Sequence, residues 1–268
     1  MEVISIPAAY ERMEAYTLYS GSKGNSVFIR CGTTEILIDA GMSARAMDTA
    51  LQSLGSSLSR ISAVFITHEH SDHIRGLDVM TRRYNPELTV HAVGQTAACC
   101  KCRQQQLYSY PPCFSVEVGS LSVSSFPTPH DSLCSVGYIV RNMDSGCGVG
   151  IATDMGYMPD SVLEQLLDCR GVILESNHDV DMLMRGPYPP DLKTRILSRR
   201  GHLSNADCAD VVRTLAKNGV KNILLAHLSE ENNTPELARA ASMAALEEAG
   251  IGDVMLEVAS QTCVKKLL

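Results

Sequence analysis

The sequence predicts an α/β protein. Short runs rich in β-branched residues recur along its 268 residues, and segments with the helical spacing of apolar side chains separate them. Gly/Ser-rich or Pro-rich linkers, short repeats and low-complexity tracts are absent from the sequence. We therefore expect residues 1–268 to form one domain with several functional loops.

Seven runs are predicted to be strands because apolar and β-branched residues dominate them. Several end in a carboxylate or an imidazole, and α/β proteins commonly build active sites from polar groups at strand ends. The predicted site therefore lies where these strands end. The runs are residues 34–41, 61–70, 88–93, 136–140, 149–156, 171–176 and 222–229.

Three helices carry clear boundary signals. Ser43 is predicted to cap a helix that Gly55 ends, and Thr234 precedes a proline that suits a first helical turn. A third helix is expected to begin at Ser204 or Asn205, since the apolar stripe that follows has helical spacing. These helices alternate with the predicted strands, as the α/β class requires.

Composition indicates where the protein is found in the cell, but it does not indicate a function. Residues 1–16 lack the apolar stretch of a signal peptide, and no run is long enough to cross a membrane, so we expect a cytoplasmic protein. Its ten cysteines are then expected to be reduced. A zinc site at Cys99, Cys100, Cys102 and Cys113 is the alternative, but their spacing is irregular, and scattered, partly buried thiols are the favoured interpretation.

Three imidazoles and a carboxylate fall within six residues, directly after an apolar strand. These are His68, His70, Asp72 and His73. Neutral imidazole and carboxylate are ligands for zinc, manganese or iron, and alternate positions leaving a strand can diverge toward two metals. We expect His68 and His70 to serve one metal, and Asp72 and His73 to serve the other.

Further strand ends supply the remaining ligands. His130 is assigned to the first metal and His227 to the second, while Asp154 is assigned as a bridge because Gly156 allows a tight turn around an inward carboxylate. A closed structural site needs only four ligands. Seven candidates therefore predict two open sites, which hold two divalent metals of the zinc, manganese or iron type.

This order of ligands resembles that of the metallo-β-lactamase superfamily, in which a His-x-His-x-Asp-His motif precedes a lone His, an Asp and a final His. The resemblance implies an αββα sandwich of two mixed sheets flanked by helices. It also implies that Asp39 orients the ligand loop by hydrogen bonding.

Four further segments resemble the YycJ/WalJ-like branch of this superfamily, to which exonuclease activity is attributed. The resemblance implies a nucleic-acid substrate, either DNA or RNA. The segments are residues 20–26, 175–179, 201–205 and 227–233.

Ribonuclease Z, a nuclease relative, carries a glutamate at a strand end and a histidine in a loop before a helix. Glu175 and His202 stand in corresponding places. A carboxylate that keeps an imidazole protonated would let His202 act as a general acid toward a departing oxygen. The expected catalytic residues are Asp72, Glu175 and His202.

Substrate contacts are expected around this acid. The predicted helix start at Ser204 and Asn205 favours an anion, and Lys23 and Asn25 lie in a glycine-containing loop that can cover a substrate. His178 is a further candidate, although a structural histidine is the alternative there and at His202. The nearby Lys193, Arg195, Arg199 and Arg200 either follow a phosphate backbone or are solvated, in a chain of net charge −7.

Two other functions remain open at this stage. The ligand set also occurs in thioester hydrolases of the glyoxalase II type, so the ligands alone do not distinguish carbonyl from phosphoryl chemistry. The Glu175 and His202 pair favours the phosphodiester. A non-enzymatic metal-binding regulator is the second alternative, and an open metal site argues against it.

Overall fold

A computed structural model describes residues 12–268. Residues 1–11 lie outside the described part. They make up most of residues 1–16, from which we expected no signal peptide. Within residues 12–268, no helix is both long and apolar enough to cross a membrane.

Fourteen strands are present in the described chain. In chain order they are β1 (Met13–Tyr19), β2 (Ser26–Cys31), β3 (Thr34–Ile38), β4 (Ala63–Phe65), β5 (Thr89–Val93), β6 (Leu107–Tyr110), β7 (Ser115–Val118), β8 (Leu121–Pro127), β9 (Val136–Asn142), β10 (Gly148–Ala152), β11 (Gly171–Glu175), β12 (Asn222–Ala226), β13 (Met255–Val258) and β14 (Lys265–Lys266).

Helices connect many of these strands. They are α1 (Ala44–Ser53), α2 (Ser71–Ile74), α3 (Leu77–Val79), α4 (Gly94–Cys99), α5 (Asp160–Leu167), α6 (Val180–Arg185), α7 (Pro190–Ile196), α8 (Asn205–Lys217) and α9 (Pro235–Glu248). Short 3₁₀ turns at 58–60 and 104–106 and a π turn at 80–84 complete the described elements.

The strands form two mixed sheets of seven. The first has the order β14-β1-β2-β3-β4-β5-β6, and the second has the order β13-β12-β11-β10-β9-β8-β7. Strands β3 to β6 are parallel to one another, as are β10 to β13. Antiparallel pairs make up the other half of each sheet.

Alternation along the strands produces three apolar layers. Ile36, Phe65 and Tyr138 belong to the central layer, to which inward side chains of both sheets contribute. Leu37, one position from Ile36, belongs instead to the layer that includes residues of α1. Val172 lies in the third layer, with residues of α5, α8 and α9. The arrangement is therefore an αββα sandwich, as the resemblance implied.

All seven predicted strands are present, although most are shorter than the runs that predicted them. The three predicted helix starts are also confirmed, with Ser43, Ser204 and Thr234 each accepting a hydrogen bond from the first turn. Seven further strands went unpredicted. Among them β7 alternates exposed with half-buried residues, and β14 has only two residues, so neither carries the apolar run used for prediction.

The central layer should control stability. Phe65 is fully buried, and its ring centroid lies 5.7 Å from that of Tyr138 on the facing sheet. Phe65→Ala is expected to lower the free energy of unfolding by about 3–5 kcal/mol, because it removes contacts and leaves a cavity. Urea denaturation measures this. Met255→Ala, at a 56% exposed position, is the control and should change stability by less than about 0.5 kcal/mol. A Phe65→Ala variant as stable as the control would contradict the prediction that the central layer controls stability.

Candidate metal centre

The site lies where parallel strands of both sheets end. Asp39 follows β3, His68 follows β4 and Asp154 follows β10, while Glu175 ends β11 and His227 follows β12. Hydrogen bonds link the two sheets there, since the backbone N–H of Val136 donates to Thr67 O over 3.1 Å. The strand ends from which the site was predicted therefore lie along one edge of the sandwich, to which both sheets contribute.

Three of these strand ends have left-handed backbone. Asp39, Asp154 and His227 have φ values of 65°, 58° and 56°, and Cys113 is the other non-glycine residue with positive φ in the described chain. This conformation costs roughly 1–3 kcal/mol per residue and tends to cluster at functional sites. At all three positions it turns the chain sharply after a buried strand, and the side chain joins the site.

A first cluster is formed by His68, His70 and His130. Atoms of the three rings lie within 4.8 Å of one another, and His68 Nε2 is 3.0 Å from His70 Nδ1. Two ring nitrogens this close fit a shared cation, since neutral imidazoles each offer a lone pair. The structure thus brings together the three residues assigned to the first metal.

A second cluster is formed by Asp72, His73 and His227. Asp72 Oδ2 is 3.4 Å from His73 Nε2 and 3.8 Å from His227 Nε2. Asp154 lies beside both clusters, 3.5 Å from His227 Nε2 and 3.9 Å from His130 Nε2. This is the position that a bridging carboxylate would need.

Buried polar atoms test whether this pocket suits a cation. His130 Nε2, His227 Nε2 and Asp154 Oδ2 are buried and have no hydrogen-bond partner among residues 12–268. Unpaired buried polar atoms are costly and rarely occur without a ligand, an ion or water. Because all three are metal-ligand atoms facing one region, the residues present fit divalent metal ions.

The opposite ring nitrogen of three ligands has its own acceptor. His73 Nδ1 lies 2.8 Å from Asp39 Oδ2, His130 Nδ1 lies 3.1 Å from Gly201 O, and His227 Nδ1 lies 2.8 Å from Glu175 Oε1. If each Nδ1 carries the proton, Nε2 is left as the free lone pair. Asp39 therefore has the orienting position that the resemblance implied.

Carboxylates hold positive charge in this pocket. Burial alone would lower the pKa of His73, but Asp39 and Asp154 outweigh it and raise that pKa to about 10. Burial would likewise raise the pKa of Asp154, yet the imidazoliums of His227 and His73 hold it well below its usual range. The pocket is thus built to stabilise cations.

Glu175 and His202 form the predicted pair. Glu175 Oε1 lies 2.8 Å from His202 Nδ1, and the same oxygen contacts His227. Burial would raise the pKa of Glu175, but interaction with His202 outweighs it and the pKa falls to about 2. His202 also lies 4.0 Å from Asp154 Oδ1, so it lines the pocket beside the metal ligands.

The two predicted substrate contacts in the N-terminal loop, Lys23 and Asn25, lie at different distances from the clusters. Asn25 Nδ2 is 3.3 Å from Asp72 Oδ2 and 3.1 Å from His73 Nε2. Lys23 pairs with Glu230 over 2.7 Å, and its side chain is 75% exposed. Asn25 is therefore beside the second cluster, whereas Lys23 is farther out on a surface ion pair.

The other predicted substrate contacts are buried in the supporting loops. Ser204 Oγ accepts from Asp207 N as the cap of α8, and His178 forms a β-bridge to Ser204. The side chain of Asn205 bonds to those of Ser176 and Asn233. These bonds hold the loops together, so contact of Ser204, Asn205 or His178 with substrate stays a prediction.

The basic run is largely engaged within the protein. Lys193 Nζ donates to two carbonyls, Arg195 pairs with Asp131, and Arg200 donates to His130 O. Arg199 stacks over the ring of Tyr157, with its guanidinium carbon 4.0 Å from the ring centroid. These basic side chains therefore mainly stabilise the loops around the site, and few of them are free to contact a substrate.

Sequence reasoning missed several residues of the site. Glu69, between two ligands of the motif, accepts hydrogen bonds from Leu133 N and Thr96 Oγ1 and so ties the ligand loop to the His130 loop. Its position between His68 and His70 was the sequence feature that could have indicated this role. Tyr188 and Leu192 line the same 250 Å³ pocket, and no sequence pattern indicated this.

The cysteine cluster has mixed burial, since Cys100 is buried, Cys99 and Cys102 are half-buried and Cys113 is exposed. The ten cysteines are free thiols, and within residues 12–268 the groups able to hold a metal contain only histidine, aspartate and glutamate. Burial raises the pKa of the Cys100 thiol to about 12. Cys100 is therefore a buried thiol, as favoured from its spacing.

Comparison with known proteins identifies relatives over most of the chain. A family described as the beta-lactamase superfamily domain matches residues 34–228. The chain is 35% identical to Exodeoxyribonuclease YycJ of Bacillus anthracis over 240 residues, which cover 88% of this chain and 89% of the relative. It is 36% identical to Exodeoxyribonuclease WalJ of Streptococcus pneumoniae over 241 residues, which cover 88% of each.

Solved structures support the fold. The metallo-beta-lactamase fold protein YhfI from Bacillus subtilis superposes with a TM-score of 0.71 at 14% identity, covering 95% of this chain and 99% of its own. Unliganded yeast PDE1 gives the same TM-score and identity, covering 96% and 100%. At this level of identity the likeness shows the shared fold alone.

Removal of the Asp39 carboxylate should weaken the second metal cluster. In Asp39→Asn the acceptor for His73 Nδ1 is altered, so affinity for one metal should fall by roughly 10–100-fold. Titration with Mn²⁺ or Zn²⁺ against a chelator measures this, and the first cluster should bind as before. Asp181→Asn, with a side chain 80% exposed, is the matched control. Wild-type affinity at both sites would contradict the orienting role.

Metal binding should depend on pH. Because the pKa of His73 is about 10 in the metal-free protein, this ligand carries a proton at neutral pH that a cation must displace. Affinity should therefore rise with pH, and protons should be released. Calorimetric titration with Mn²⁺ in two buffers of different ionisation enthalpy, between about pH 6 and 8, measures the release. Binding that is independent of pH and buffer would contradict a protonated His73 in the metal-free protein.

Proposed function

This chain belongs to the metallo-β-lactamase superfamily, in the branch that includes YycJ and WalJ, and from that premise we propose that it is a metal-dependent exonuclease acting on DNA. One observation carries the proposal. The Glu175–His202 pair stands beside the metal ligands, where an acid for a departing oxygen is needed. DNA is chosen because the curated relatives are exodeoxyribonucleases.

Seven residues would hold two divalent ions. Zinc, manganese and iron all suit an imidazole and carboxylate set without thiolate. When bound, such ions supply Lewis acidity and a nucleophilic water at neutral pH. His68, His70 and His130 would hold one ion, and Asp72, His73 and His227 the other, with Asp154 between them.

His202 would supply the proton. Its Nδ1 lies against Glu175 Oε1 at 2.8 Å, so Nε2 is the ring nitrogen left to serve the substrate. A proton held at Nε2 would pass to the oxygen that leaves phosphorus, and the Glu175 carboxylate orients the ring for this transfer. Transfer of this kind contributes roughly 10²–10⁴ in rate.

Asn25 would contact the phosphate. Its amide nitrogen lies 3.1 Å from Gly21 O and 3.3 Å from Asp72 Oδ2, so a bond to a non-bridging phosphate oxygen would replace one of these contacts. Although the chain carries a net charge of −7, cations held in the pocket would reverse the local sign. An acidic chain can therefore bind a polyanion at this point. We place this activity in the cytoplasm.

Thioester hydrolysis is the competing enzymatic hypothesis. An acyl transfer at the same ligands has no evident need for a Glu175-supported acid. A metal-binding regulator would need no turnover at all. An assay of DNA cleavage distinguishes the nuclease from both the thioester hydrolase and the metal-binding regulator.

The test is cleavage of end-labelled single- and double-stranded DNA by protein loaded with Mn²⁺ or Zn²⁺. Progressive shortening from an end is expected. His202→Ala should lower the rate by roughly 10²–10⁴ because the acid is lost, while metal content is retained. Asp154→Ala should lose both metal and activity.

Lys217→Ala serves as a control, because Lys217 is exposed at the end of α8. It should cut DNA at the wild-type rate. Metal-loaded wild-type protein that leaves DNA intact but hydrolyses a thioester would overturn the proposal in favour of acyl transfer.

A further inference from the structure

An apolar stripe on α7 faces the metal pocket. Leu192 and Ile196 are four residues apart on α7, which places them on one face of the helix, and Tyr188 lies just before the helix begins. All three line the pocket. None of the α7 residues is buried, and these three are half-buried. Helices normally bury their apolar stripe in a core. Here the stripe forms a wall of the candidate active site.

The position of this wall is fixed relative to His202. Ile196 O accepts from the backbone N–H of His202 over 3.0 Å. A Cβ at Gly201 would lie 2.0 Å from Ile196 O, so this close approach requires glycine. Arg195 pairs with Asp131, which follows the ligand His130. The wall is thereby tied to both the proposed acid and the metal cluster.

The lining of the pocket has two kinds of chemistry. The proposed metal ligands and Glu175-supported His202 give the lining a polar part suited to a phosphate, whereas Tyr188, Leu192 and Ile196 give it an aromatic and apolar part. Asn177 and Ser229 also line the pocket. The molecule that matches both parts carries a phosphate at one end and a flat ring at the other, which describes a nucleotide.

We propose that Tyr188, Leu192 and Ile196 form a subsite for the base of the terminal nucleotide. This inference rests on the proposed exonuclease function and adds a substrate contact to it. Stacking on an aromatic ring tolerates every base, because each base has a π face. The 250 Å³ pocket is small, so the subsite takes one terminal base and not a continuous duplex.

The test compares two single-stranded DNA oligonucleotides that differ only at their ends. One is ordinary, and in the other the terminal nucleotide at each end has no base. Wild-type enzyme loaded with Mn²⁺ should release the ordinary terminal nucleotide about tenfold faster, as judged by kcat/KM. Tyr188→Ala should reduce this preference several-fold, because it should slow release of the ordinary terminal nucleotide more than release of the abasic one.

Two variants keep the test specific. Tyr188→Phe retains the ring and should retain the preference. Leu197→Ala removes an apolar side chain that is 45% exposed at the end of α7, and it should behave as wild type.

Each outcome bears on one hypothesis. Equal rates on both oligonucleotides in the wild type, or an unchanged preference in Tyr188→Ala, would overturn the base subsite while leaving the nuclease intact. No cleavage of either oligonucleotide by metal-loaded protein would instead overturn the exonuclease proposal, and the subsite with it.

Discussion

The buried carboxylate of Glu175 holds the site together. It is 0% exposed, and it accepts from the backbone N–H of Met155 and Leu203 over 3.0 Å each. Its other oxygen contacts the rings of His202 and His227 at 2.8 Å. An unpaired charge in this position would be prohibitively costly, so all four contacts must form together. One side chain thereby sets the spacing between a metal ligand and the proposed acid.

Backbone strain is concentrated around the same site. Asp39, Asp154 and His227 adopt left-handed conformations that ordinary residues rarely occupy. Gly41 and Gly201 allow close backbone contacts, because a Cβ on Gly41 would lie 1.6 Å from Asp72 O. The two sheets and their three apolar layers stabilise these local arrangements. A well-packed sandwich is therefore what permits the strained strand ends that carry the ligands.

The pocket holds positive charge, although the whole chain is negatively charged. The net charge is −7, and all four basic side chains between residues 193 and 200 are engaged in contacts inside the protein. Carboxylates in the pocket instead raise the pKa of His73 and hold positive charge. Affinity for an anionic substrate then depends on cations gathered by acidic residues, and long-range attraction contributes little.

The sequence alone determined the α/β class, the seven main strands and three helix starts, and it indicated the residues from His68 to His227 that are proposed as metal ligands. These follow from local spacing, because strand period, capping residues and a motif of six residues are all readable within a short window. The Glu175–His202 pair came from the family resemblance. Tertiary structure decided which atoms support the ligands: Gly201 O for His130, Glu175 for His227, and the α7 wall beside them. Such partners lie far apart in the chain, and only the packing of two sheets brings them within hydrogen-bonding distance.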